Sequence, residues 1–224
     1  MRSLHLFSLR QLASLCLFAG TLLIGTIVHG QAYSSDGRPI LVGAKSVPRG
    51  IDLCNDYASK RDYSGAPYRV VEPDRIVTRH EGIDFCANAG TPVIAPVSGT
   101  IRWAIKDHPL RGGQVLIKSN FRINAGQGGS KHVYIGLVHI TPLDTLRQGS
   151  RVKPGQVIGH VRKAGLVEIG SRPHVHFTAR ICDTTHKCHF DPNLLWQDGP
   201  GKVSCHRAGK AVAKGRIVAP VACR

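Results

Sequence analysis

His174 and His176 flank a single valine in the stretch SRPHVHFTARI. Residues two apart on a strand project from the same face, with Cα atoms about 6–7 Å apart, so both imidazoles can serve one small site. Either could hold a metal while the other faces the water beside it, and spacing alone does not say which. In a chain with 12 histidines such a pair is also what a half-exposed basic sheet presents. HEGIDF supplies partners. His80 and Asp84 are about 13 Å apart if fully extended, too far for one ion, but Gly82 between them permits a bend. A helix would also bring i and i+4 together; Gly82 and the following CANAGTP argue against one. His80, Asp84 and one of the pair make a two-histidine, one-carboxylate set. Zinc accepts that set in a tetrahedron and leaves a fourth position for water or substrate. Bound zinc lowers the pKa of that water and polarises a carbonyl, and the remaining histidine can carry protons. His139, closing YIGLVHI, faces the same water if its strand lies beside the last one. Glu81 and Glu168 lie near these motifs and read as solvated acids.

The elements that must position these residues are short strands. TPVIAPVSGTIRWAI, GGQVLIKS, KHVYIGLVHI, GSRVKPGQVIGHV and HVHFTARI are β-branched runs broken by glycine and proline, and no long stretch has helical periodicity. With 25 Gly and 13 Pro in 224 residues, the expected fold is all-β: a compact antiparallel sandwich or barrel-like domain with irregular N- and C-terminal extensions. GQGGSK reads as an exposed loop between two strands. The expected divisions are a signal peptide at 1–32, an irregular extension at 33–75, the domain at 76–195 and a basic tail at 196–224, with DPNLLW as the tail's apolar anchor. The extension either packs on the outside of the domain, the preferred reading, or covers the cleft.

Three motifs, in order, resemble the lysostaphin-type zinc metallopeptidases, which cut peptide bonds in bacterial peptidoglycan. The first is H-x(3)-D followed by a GTPV-type run, here HEGIDFCANAGTPVIAPVSGT. The second is a histidine ahead of a V-x-x-G-Q-x-I-G run, here HITPLDTLRQGSRVKPGQVIGHV. The third is H-x-H before phenylalanine, here SRPHVHF. The resemblance covers about residues 77–195. It implies that His80, Asp84 and His176 bind zinc and that His139 and His174 line the water and transition state. It implies an endopeptidase acting on peptidoglycan cross-links or stem peptides; a non-catalytic wall-binding or regulatory scaffold of the same fold is the alternative. Three departures border the cleft: Tyr134 stands five residues ahead of His139, GLVEIG replaces a glycine-threonine-glycine run, and Arg172 replaces a glycine before Pro173.

Leu12 to Val28 is an apolar run behind Arg2 and Arg10, and HGQA follows it, which is the form of a secretory signal peptide; a retained anchor is the alternative. After cleavage no stable membrane span is expected, and the protein is exported, periplasmic or extracellular. The formal charge of +16 becomes +14 without the two leader arginines, which favours a polyanionic partner. Export makes that partner an anionic cell envelope, and no nucleic-acid motif is present. Six cysteines remain beyond the leader. An even count in an exported chain points to disulfides; fifteen pairings are possible, and short closures favour Cys182–Cys188 and Cys205–Cys223, leaving Cys54–Cys86.

Overall fold

The computed structural model describes residues 40–72, 75–183 and 188–223. The expected leader lies outside the described residues, and the N-terminal extension is described only from residue 40. Along the chain run β1 (Asp52–Asn55), β2 (Val70–Glu72), β3 (Arg75–Val77), β4 (Ile83–Cys86), β5 (Pro92–Ile94), β6 (Gly99–Ile105), β7 (Gly113–Asn124), β8 (Ser130–Pro142), β9 (Arg151–Val152), β10 (Val157–Val161), β11 (His174–Arg180) and β12 (His189–Phe190). All except the β2–β3 pair belong to one ten-stranded sheet in the order β1-β4-β11-β8-β7-β6-β9, with β12 on β11 and β10 joining β5 to β8. The named strand pairs are antiparallel. The all-β, antiparallel expectation therefore holds, but barrel closure does not enter it. The end strands β1 and β9 are four and two residues long and do not pair with each other among the described residues.

Alternation along β11 separates structure from chemistry. Val175, Phe177 and Ala179 are fully buried in the core, while His174, His176, Thr178 and Arg180 share the opposite face. Phe85 of β4, Phe177 and Trp196 form an aromatic centre: Phe85 meets the other two edge-on at 6.0 and 6.1 Å, and Phe177 stacks on Trp196 at 5.8 Å. Truncating Trp196 would cost about 3–5 kcal/mol from burial alone. The same tryptophan starts a polar chain. Its Nε1 donates to Asn193 Oδ1 at 2.8 Å, and Asn193 Nδ2 donates to Asp56 Oδ1 at 2.9 Å. Asp191 accepts from Asn193 N with one oxygen and from Val42 N and Gly43 N with the other. DPNLLW thus anchors the N-terminal extension as well as the core.

The C-terminal tail is more than a basic appendage. Val203, Ile217, Val218, Ala219 and Val221 are buried, and Ile94 N donates to Pro220 O while Val218 N donates to Pro96 O. The disulfides are Cys54–Cys86, Cys182–Cys188 and Cys205–Cys223, the pairing that short closures favoured. GQGGSK contains the turn between β7 and β8, with a short 3-10 segment at Gly126–Gly128. No helix among the described residues is long and apolar enough to cross a membrane.

Candidate metal centre and its flanking histidines

Register brings the distant motifs together. β11 pairs with β4 so that His176 stands opposite Asp84, and with β8 so that His176 stands opposite Val138. His80 precedes β4 and is tied by backbone bonds to the extension: Ala58 N donates to His80 O, and His80 N donates to Ser59 O. The chain bends at Glu81 and Gly82, as expected, and Gly82 serves this convergence in a second way. It has no positive φ; what it needs is the absence of a side chain, since a Cβ there would lie 2.6 Å from Phe177 O and 2.7 Å from His176 Cε1.

The ligand atoms of His80, Asp84 and His176 converge. His80 Nε2 and His176 Nδ1 stand 2.9 Å apart, and both face Asp84 Oδ1, at 3.1 and 2.9 Å. A tetrahedral zinc with bonds of about 2.0–2.2 Å sets its ligand atoms about 3.3 Å apart, so donor chemistry and spacing both fit such an ion. His174 Nε2 lies 3.7 Å from the same carboxylate oxygen. The His139 ring is 4.8 Å from that of His174 and 6.0 Å from that of His176. All five residues singled out in the sequence therefore occupy one cluster, and His80, Asp84, His139 and His174 are buried there.

Backbone carbonyls orient three of the four rings. His80 Nδ1 donates to Asp56 O at 3.0 Å, His139 Nδ1 to Arg111 O at 2.9 Å, and His174 Nδ1 to Arg172 O at 2.8 Å. A carbonyl only accepts, so Nδ1 carries the proton in each case and Nε2 presents a lone pair when the ring is neutral. Arg172 thus contributes its carbonyl to the site, while its guanidinium turns to Asp52. His139 is the extra residue of a bulge: Gly113 pairs with Ile140 but Gln114 pairs with Val138. It also has φ 66°, a left-handed conformation uncommon for a residue with a side chain. Bulges re-aim side chains beside functional sites, and this one turns His139 toward His174.

The electrostatics divide the cluster. Burial opposes charge on His80, but the adjacent Asp84 carboxylate outweighs it and raises the pKa. Burial likewise opposes charge on Asp84, yet His80 and His176 hold it well below the usual carboxylate range. His139, pushed down by burial and by His174 and His176, falls to about 3. His176 falls to about 4, burial outweighing its bond to Asp84.

Neither nearby glutamate is a free surface acid. Glu81 takes both nitrogens of Arg75, at 2.7 and 2.5 Å, and lies 3.3 Å from His189 Nδ1. Glu168 pairs with Arg111 at 2.8 Å, which braces the segment whose carbonyl holds His139. Sequence reading missed the contributions of the extension: the Asp56 carbonyl, Tyr68 with its ring 5.2 Å from His80, and Tyr63 with its ring 6.4 Å from His174. Tyr63 Oη also accepts from Ser171 N. The extension packs against the domain, but not on its outside alone as preferred: Asp56, Tyr63 and Tyr68 stand at the site itself. Only the tyrosines of YASKRDYSGAPY hinted at this. Tyr134 lies away from His139, opposite Arg180 and Lys118.

No curated protein matches the chain. Among solved structures, the catalytic domain of lysostaphin from Staphylococcus simulans is 25% identical, covering 63% of this chain and 89% of its own, with a TM-score of 0.46. The catalytic domain of the prophage-encoded M23 protein EnpA from Enterococcus faecalis is 23% identical, covering 66% and 94%, with a TM-score of 0.45. Residues 78–192 match the profile of Peptidase family M23. That span opens two residues before His80, takes in Asp84, His139, His174 and His176, and exceeds half of the sequence; the chain belongs to Peptidase family M23.

Proposed function

We propose that this protein is a zinc-dependent endopeptidase that hydrolyses peptide bonds in bacterial peptidoglycan, in cross-links or stem peptides. The observation that carries the reading is the convergence of His80 Nε2, Asp84 Oδ1 and His176 Nδ1, with two further carbonyl-oriented histidines beside them. Those three residues would hold the ion. When bound, zinc supplies Lewis acidity, which lowers the pKa of water and polarises an amide carbonyl. His139 and His174 supply the proton chemistry. Each has Nδ1 committed to a carbonyl, so Nε2 accepts a proton from the attacking water and, once protonated, donates to the oxyanion or to the leaving amine. Burial and neighbouring rings keep His139 neutral at pH 7, the state a proton acceptor needs. Asp56 O fixes the tautomer of His80, and Gly82 leaves room for the His176 ring.

In this reading residues 76–195 form the catalytic unit, 33–75 and 196–224 are its extensions, whose described residues pack onto it, and 1–32 is a secretory leader. The protein acts outside the cytoplasm, held near an anionic envelope by its positive charge. Digestion of purified peptidoglycan, followed by released amino groups, tests the activity. The expected result is loss of digestion on chelation and recovery on adding zinc. Equal digestion with and without chelator, or none at any zinc level, would overturn it.

A further inference from the structure

The site-facing side of β11 continues past the metal centre. Beyond His176 it carries Thr178 and Arg180, both buried, with relative exposures of 3% and 9%. Each has one unsatisfied polar atom: Thr178 Oγ1 and Arg180 Nε are enclosed and lack a hydrogen-bond partner among the described residues. A buried hydroxyl or guanidinium without a partner carries a substantial desolvation cost, and two in succession on one face call for a ligand. Arg180 Cζ lies 6.0 Å from the ring centre of Trp103. That ring stabilises a cation but accepts no directed bond from Nε.

Thr178 Oγ1 and Arg180 Nη2 occupy the space that a side chain would take at Gly136. Gly136 of β8 stands opposite Thr178. A Cβ on Gly136 would come within 2.4 Å of Thr178 Oγ1 and 3.0 Å of Arg180 Nη2. Any larger residue there would displace both polar groups. The charges that act on the guanidinium are mixed, Asp183 and Glu81 against Arg111; Lys118 and Arg180 both pair in register with Tyr134. Burial lowers the Arg180 pKa, with Asp183 and Glu81 opposing that shift from a distance. Both acids are already engaged, Asp183 with Arg102 and Glu81 with Arg75.

We propose that Arg180 and Thr178 form a specificity subsite that binds a free carboxylate on the peptide substrate, on the same strand face as the metal centre. This rests on the peptidase reading above. A guanidinium fork matches a carboxylate, and the threonine hydroxyl adds a donor alongside it. Arg180 is four residues beyond His176, about 13 Å along the strand. An extended peptide advances about 3.3 Å per residue, which places the recognised carboxylate about two to four residues from the cleaved amide.

The test uses the full chain and soluble peptidoglycan fragments in two forms, with stem-peptide carboxylates free or converted to carboxamides. The expected result is that the wild type cleaves the free-carboxylate form about 10–100-fold more efficiently in kcat/KM. Arg180→Gln should lose that preference, its kcat/KM falling far more for the free-carboxylate form than for the amidated form. Thr178→Val should reduce the preference in part. Calorimetric binding of both forms to wild type and Arg180→Gln is measured in parallel. If neither form is cleaved, the peptidase reading fails, and binding still reports on the carboxylate site. Should Arg180→Gln misfold, Arg180→Lys replaces it and is expected to weaken the preference. An unchanged carboxylate preference in these variants, or no preference by the wild type in binding or cleavage, would overturn the subsite.

Discussion

His80 and His139 are both buried and both donate Nδ1 to a backbone carbonyl, yet their proton affinities move in opposite directions. The difference is the neighbour. His80 faces the Asp84 carboxylate at 3.1 Å, whereas His139 faces the rings of His174 and His176. In the proposed reading the cluster has a ligand half, His80, Asp84 and His176, and a proton-handling half, His139 and His174. Geometry around Asp84 draws that line and pKa alone does not, since His176 bonds Asp84 and still falls to about 4.

The sharpest way to break this division is at the ligand half. His80→Ala or Asp84→Ala should abolish bound zinc, measured by elemental analysis, and reduce peptidoglycan digestion by at least about 10³-fold. On the other half, His139→Asn, which tolerates the left-handed backbone, should keep the metal while lowering kcat about 10²–10⁴-fold. Metal loss in that variant would erase the boundary between the halves. Gly82→Ala probes the packing that lets the ligand half assemble. Its methyl group would press on His176 and on the Phe177 carbonyl, so zinc affinity in competition titration should fall about 10–100-fold.

The smallest effect concerns stability. His139 titrates at about 3 when folded but at about 6.5 when unfolded. Between those values the unfolded chain binds a proton that the fold excludes, so stability rises with pH across this window. Metal-free His139→Asn should lose up to about 1.4 kcal/mol per pH unit of that slope in denaturant titrations. His80, whose pKa is raised, contributes with the opposite sign and is present in both proteins.

The strands were legible because β-branched runs and glycine–proline turns are local signals. The H-x-H alternation was legible for the same reason, since strand geometry puts both histidines on one face. What sequence could not show was the agents that aim the rings. Asp56, Arg111 and Arg172 act through carbonyls, which every residue possesses, so their side chains carry no trace of the role. The bulge at His139 depends on a left-handed backbone that a histidine does not advertise. Gly82 lies at the expected bend and also makes space for a ring, a second role that requires the partner strand. Glu81 and Glu168 read as solvated because their arginine partners, Arg75 and Arg111, were not recognisable as partners from sequence.

The pair His174 and His176 gives the most direct test of the central claim, because one valine separates a proposed proton carrier from a proposed ligand. Zinc per chain and peptidoglycan digestion should be measured on His174→Ala and His176→Ala together. The account predicts that His174→Ala retains one zinc with digestion lost, and that His176→Ala loses both. Metal loss in His174→Ala with retention in His176→Ala would contradict it.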